Sequence, residues 1–393
     1  MTPAASTGPT VRRAPRTRLA LGGLGLLAVL AGLWAALLML GLDLPTPRPD
    51  FAEGHGPLMV LGFLGTLIAL ERAVAVDVSA GYVVPAAAGV GGLTLILGLP
   101  LPVGQVLLGA AGVGLLALYA VAARRQAAFH LAVMAAGAAT WVISVGLWLT
   151  GWDVGRLVPW LAGFLVLTIA GERLELSRVT RLTRTAHAIF TAAVALFTIG
   201  TLTAIGAFTL GTRIAGAGLL AMAGWLAVHD VARRTIRQHG LTRYMATCLL
   251  AGYAWLAVAG VLWLRFGMSS EGRAFDAQLH AVFLGFVIGM VMAHAPVIVP
   301  AVFRAAVPYH RHFYAHLILL HASLLLRVVG GDLAGNHTAW QIGGVLNEVA
   351  LLCFLAVTVV AVRSGRRARR RAPASTLRER QLAAATPARG TQP

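Results

Sequence analysis

Gly62-Phe63-Leu64 with Glu71-Arg72, and Gly163-Phe164-Leu165 with Glu172-Arg173, are the same stretch written twice. Seven of the eleven positions from 62 to 72 recur at a constant offset of 101. A third copy, Gly285-Phe286, carries His294 where the glutamate would stand. The three copies fall on the second, sixth and tenth of twelve apolar spans, so every fourth span repeats. A second echo joins the fifth and ninth spans: Ala136-Gly137 with Leu147-Trp148-Leu149 returns as Ala251-Gly252 with Leu262-Trp263-Leu264, at an offset of 115. Together these spacings predict an all-α membrane protein of twelve transmembrane helices in three pseudo-symmetric four-helix units.

Composition sets the solvent. With 58% hydrophobic and 12% charged residues, a chain of 393 residues carries more apolar surface than one soluble core can bury. Residues 19–362 read as the membrane domain, between a basic N-tail (1–18) and a basic C-tail (363–393). The sixth and eighth spans, 157–171 and 214–228, are short for about 30 Å of hydrocarbon. The first span follows Arg12, Arg13, Arg16 and Arg18 but is too long for a signal peptide and has no small-residue cleavage site, so it reads as a retained helix. Cys248 and Cys353 lie in separate spans and form no motif.

The net charge of +18 could suggest nucleic acid, but its distribution argues against that partner. Of 32 basic residues, 26 fall in the two tails and alternate loops. This places both termini in the cytoplasm and the chain in the cytoplasmic membrane, with the lipid bilayer as its first partner. Tryptophans at 148, 152, 160, 263 and 340 read as an aromatic belt near the outer boundary.

Twelve histidines are many for so apolar a chain, and ionisable groups within a membrane are costly enough to mark functional sites. His55, at the outer entrance of the second span, and His280, a turn into the outer end of the tenth, share a face. Neutral imidazoles on two helices suit the axial positions of a haem iron. His294 lies fourteen residues beyond His280. At 100° per residue that spacing returns to nearly the same face, at the inner side. There the repeat would bring Glu71, Glu172 and His294 together. His312 and His316 follow at i, i+4, and carboxylates with imidazoles suit copper, zinc or iron. Ion-paired helix ends are the commoner reason for Glu-Arg at a membrane boundary. Arg327 sits at a depth suited to haem propionates, while Asn347 and Glu348 interrupt the twelfth span and need partners inside the bundle.

The arrangement resembles subunit I of the haem-copper oxidases, in which one histidine on the second helix and one on the tenth hold a low-spin haem; His55 and His280 match those positions. A closer likeness is to the NnrS family of haem- and copper-containing membrane proteins tied to nitric oxide metabolism. It rests on His55-Gly56-Pro57-Leu58-Met59 with Gly62-Phe63, and on His280-Ala281 with Gly285-Phe286. The sixth span lacks a histidine, the seventh has only His187, and position 282 is Val282, so the resemblance does not extend to a complete haem-copper centre. It implies a haem b protein of nitric oxide, nitrosative-stress or respiratory electron-transfer physiology, with a respiratory or denitrification redox partner. The rival readings are a proton or metal-ion transporter or channel using the inner Glu71, Glu172 and His294, and a structural partner of a respiratory enzyme.

Overall fold

The computed structural model describes residues 16–177, 182–268 and 271–371. Among these residues, twelve helices long and apolar enough to cross a membrane run in order: α1 (Arg16–Met39), α2 (Phe51–Val76), α3 (Ser79–Leu97), α4 (Leu101–Arg125), α5 (Phe129–Leu149), α6 (Val154–Ser177), α7 (Arg184–Thr203), α8 (Phe208–His229), α9 (Gly240–Phe266), α10 (Arg273–Phe303), α11 (Phe313–Leu333) and α12 (His337–Gly365). The described residues contain no strand. The protein is an all-α, multi-pass membrane protein. Both described ends lie on one side, called here the termini face. The final helix continues to Arg371, so the start of the basic C-tail is helical. Residues 1–15 of the N-tail and 372–393 of the C-tail lie outside the described residues.

The two short spans are longer than hydropathy suggests: α6 has 24 residues and α8 has 22. Averaging apolarity excludes Glu172-Arg173 and Arg213, yet the helices take these residues in. Arg173 is buried and ion-paired, so its charge does not end the helix. The tryptophan belt is also corrected. Trp160 and Trp263 are wholly buried, because each lies on a helix face turned toward the bundle.

Glycines set how closely the helices approach, as expected where lipid offers no hydrophobic drive for association. A Cβ at Gly25, Gly137 or Gly252 would stand 3.7, 2.9 or 3.4 Å from the carbonyl oxygen of Phe63, Phe164 or Phe286. Three residues after each of these glycines, Ala28, Thr140 and Trp255 press on Gly62, Gly163 and Gly285. The same two-part contact thus joins α1 to α2, α5 to α6 and α9 to α10. The recurrence relates three helix pairs placed four helices apart.

Three stretches wind as π-helix: Leu58–Gly65 in α2, Ala281–Ile288 in α10 and Leu326–Leu333 in α11. The first two are related by an offset of 223 that also carries Gly62 to Gly285 and Phe63 to Phe286. Such wide turns are rare and concentrate at functional sites. They also break the 100° count from His280 to His294, because π-winding turns less per residue than α-winding. Thr66–Val76 of α2 packs on Gly289–Phe303 of α10, whereas the π-stretches of the two helices do not pack closely on each other. Arg18 fastens the termini face, donating from Nε to the Tyr82 hydroxyl (2.9 Å) and from Nη1 to the Val302 carbonyl (3.2 Å).

Candidate functional site

Toward the face opposite the termini, α2 opens with a 3-10 turn at Phe51–Gly54 that delivers His55 to its first α-helical residues. Its Nδ1 lies 2.9 Å from the carbonyl oxygen of Gly32 in α1. Gly32 lets α1 and α2 approach closely here, since a Cβ there would meet Met59 Sδ at 2.7 Å. A carbonyl can only accept, so Nδ1 carries the proton and Nε2 the lone pair. His280 repeats the device, with Nδ1 2.9 Å from the Asp276 carbonyl and 3.2 Å from Asp276 Oδ1. Neither Nε2 has a hydrogen-bond partner among the described residues. The two imidazoles lie within electrostatic range of each other, of Asp276 and of Arg327.

Asp276 is the residue that sequence reading missed. Arg327 grips its carboxylate with two prongs, Nε to Oδ2 and Nη2 to Oδ1, each 2.8 Å, and Trp340 Nε1 donates to Oδ2 at 3.2 Å. Its position four residues before His280 was the one available signal. The fork of Arg327 is therefore committed to Asp276, which leaves Nη1 as the nitrogen without a partner there. A close crossing of α11 and α12 places Arg327: a Cβ at Gly343 would lie 2.7 Å from its backbone nitrogen. Nearby, both carboxylate oxygens of Asp332 are buried without a partner, and so is Glu348 Oε2. Asn347 finds the partner it needs in Ser323, at 2.7 Å.

Toward the termini face, Arg72 joins the two repeat glutamates. Its Nη2 is 2.6 Å from Glu172 Oε1 and 3.5 Å from Glu71 Oε1. His294 is within electrostatic range of Glu172, Arg173 and Asp230. It donates from Nδ1 to the Met290 carbonyl (2.6 Å), and its buried Nε2 has no partner. Arg173 lies 3.8 Å from Asp230, a carboxylate that sequence reading also passed over. His316 belongs elsewhere: its Nε2 is 3.1 Å from the Tyr244 hydroxyl, and its ring packs against Phe313 and Phe354. Among the described residues, no three His, Cys, Asp or Glu side chains gather as a metal ligand set.

One family model, Domain of unknown function (DUF8744), matches residues 18–363. The chain belongs to this family. The match contains every residue of both clusters, so the imidazole pair and the Glu-Arg-Glu group both lie within the DUF8744 domain. No curated protein matches the chain.

Proposed function

We propose that this protein binds haem b in the half of the membrane opposite its termini, with His55 and His280 as axial ligands through Nε2. The observation that carries the reading is the paired tautomer: each Nδ1 is tied to a backbone carbonyl, and each Nε2 is left with its lone pair free. A ligating histidine needs this arrangement, since the bond at the other nitrogen sets ring orientation and basicity. The separated π-stretches of α2 and α10 suit a flat group held edge-on. Asp276 keeps His280 in place, and Arg327 Nη1 supplies a cation for propionates. With both axial positions filled by imidazole, haem supplies a one-electron carrier.

The wider setting follows from the resemblance to the NnrS family and from the arginine distribution. The protein sits in the cytoplasmic membrane with both ends cytoplasmic and exchanges electrons with a respiratory or denitrification partner in nitric oxide physiology. The recurring helix-pair contacts support three four-helix units. The test is the visible spectrum of protein purified from haem-replete cells. A low-spin Soret and α-band is expected; absence of haem, together with no spectral shift on adding hemin, would sink the reading.

A second reading, proton passage, is favoured by Arg72 joining Glu71 and Glu172, with His294, whose buried Nε2 has no partner, within electrostatic range of Glu172. Proton uptake into liposomes that survives in a Glu172→Gln variant would dismiss it.

A further inference from the structure

At the termini face, a pocket of about 560 Å³ opens between the start of α7 and the turn that follows α8. Arg233, Arg234 and Arg237 line it, with His229, Thr183 and the carboxylate Asp230. Leu182, Ala186 and Val228 form an apolar flank. We propose that this pocket binds a phosphate-bearing anion, and that an anionic phospholipid headgroup at the bilayer surface is its natural form.

The charge argument is local. Between Glu175 and Glu271 the sequence contains one carboxylate, Asp230. That carboxylate is already engaged, by Arg173 at 3.8 Å and by the Ala232 backbone N–H at 2.7 Å. The three arginines make no ion pair or hydrogen bond through their side chains with any described residue, so three positive charges line one cavity against a single carboxylate that is engaged elsewhere. An arginine-rich loop at this face is ordinary for membrane topology. A walled pocket is not. Trp225 holds the wall together: Nε1 donates to the Ala186 carbonyl at 2.8 Å, and the indole stacks on His229 with centroids 4.9 Å apart.

Guanidinium forks match phosphate oxygens in geometry as well as charge. Basic pockets between spanning helices at the membrane surface suit phospholipid headgroups. The mixed lining favours the lipid, because the apolar flank would meet glycerol and the first acyl carbons while the arginines meet the phosphodiester. Inorganic phosphate presents the same chemistry to the arginines without the apolar part. The site is independent of the haem reading.

The test uses the full-length protein in neutral detergent, titrated with phosphatidylglycerol, phosphatidylcholine and inorganic phosphate while bound lipid is followed by native mass spectrometry and thermal midpoint. Phosphatidylglycerol should bind more tightly than phosphatidylcholine to the unaltered protein, a comparison that needs no variant. The triple change Arg233→Gln, Arg234→Gln, Arg237→Gln should weaken phosphatidylglycerol by at least about tenfold. A control triple at the same face, Arg124→Gln, Arg363→Gln, Arg367→Gln, should weaken it less than the pocket triple does, through the general attraction of surface arginines alone. Phosphate binding that depends on the pocket arginines, without such dependence for phosphatidylglycerol, would assign the site to a soluble phosphate. Equal binding of the two lipids with no arginine-dependent phosphate binding, or equal losses in both triple variants, overturns the proposal.

Discussion

Nδ1 of His55 and Nδ1 of His280 each face a backbone carbonyl, a constraint that decides which nitrogen can reach a metal. Replacing either histidine with alanine should abolish the low-spin spectrum while leaving the protein inserted, since twelve apolar spans, not one ligand, determine insertion. Haem content per protein, read by pyridine hemochrome, checks this; full haem content in both variants would refute the assignment. In the proposed haem site Asp276 would act through His280, as a positioning residue. Asp276→Asn should lower haem affinity by about 10–100-fold and alter the low-spin band, because the ring loses its orienting charge. Asp276→Ala should in addition destabilise the bundle by up to about 3–5 kcal/mol, since Arg327 loses its two-pronged ion pair and keeps only the unbonded carboxylates of Asp332 and Glu348 nearby. Parallel thermal melts of the haem-free protein separate the two effects. An unchanged melt for the alanine variant would contradict the buried ion pair.

The helices owe their spacing to glycines whose absent side chains are replaced by a neighbour's backbone. At the α7–α8 crossing, a Cβ at Gly200 would collide with the backbone of Ala215, and one at Gly211 with that of Ala204. Neither neighbour can rotate away. Gly200→Ala should therefore cost about 1–3 kcal/mol by overpacking. Gly146, where an added Cβ would have nothing within 4 Å, should accept alanine without loss. Thermal midpoints in one detergent measure both, and equal midpoints would show that the crossing does not limit stability. The π-stretches belong to the same scale. Each contains at least one glycine, and the two related by the 223-residue offset begin within three residues of a candidate ligand histidine.

At the scale of the whole molecule, twelve spans among the described residues put both described ends on one side, and the arginine distribution supports the proposal that this side is cytoplasmic. Reporter fusions at the two ends should both show cytoplasmic activity, and a periplasmic signal from either would reject the orientation. The span count and the all-α class were legible because hydropathy is a local sum along the chain, and a helix satisfies its own backbone hydrogen bonds in lipid. The repeat of Gly62-Phe63, Gly163-Phe164 and Gly285-Phe286 was legible for the same reason: it is written in contiguous residues. His55 and His280 stood out because an imidazole in an apolar span is conspicuous.

The tertiary structure alone decided which partners these residues meet. Arg327 reaches across 51 positions to Asp276, and Arg72 spans 100 to Glu172. His316 turns to Tyr244, 72 positions away. Gly25 and Ala28, which echo nothing in sequence, proved to carry the first copy of the helix-pair contact. Such pairings depend on how far each helix is rotated about its axis, and the π-stretches change that rotation within α2 and α10 and over the last turns of α11. The sequence by itself therefore determined how many helices cross the membrane and which residues are too polar to be there without a purpose. Rotation and close approach in three dimensions, which leave no period in the chain, decided what each of those residues holds.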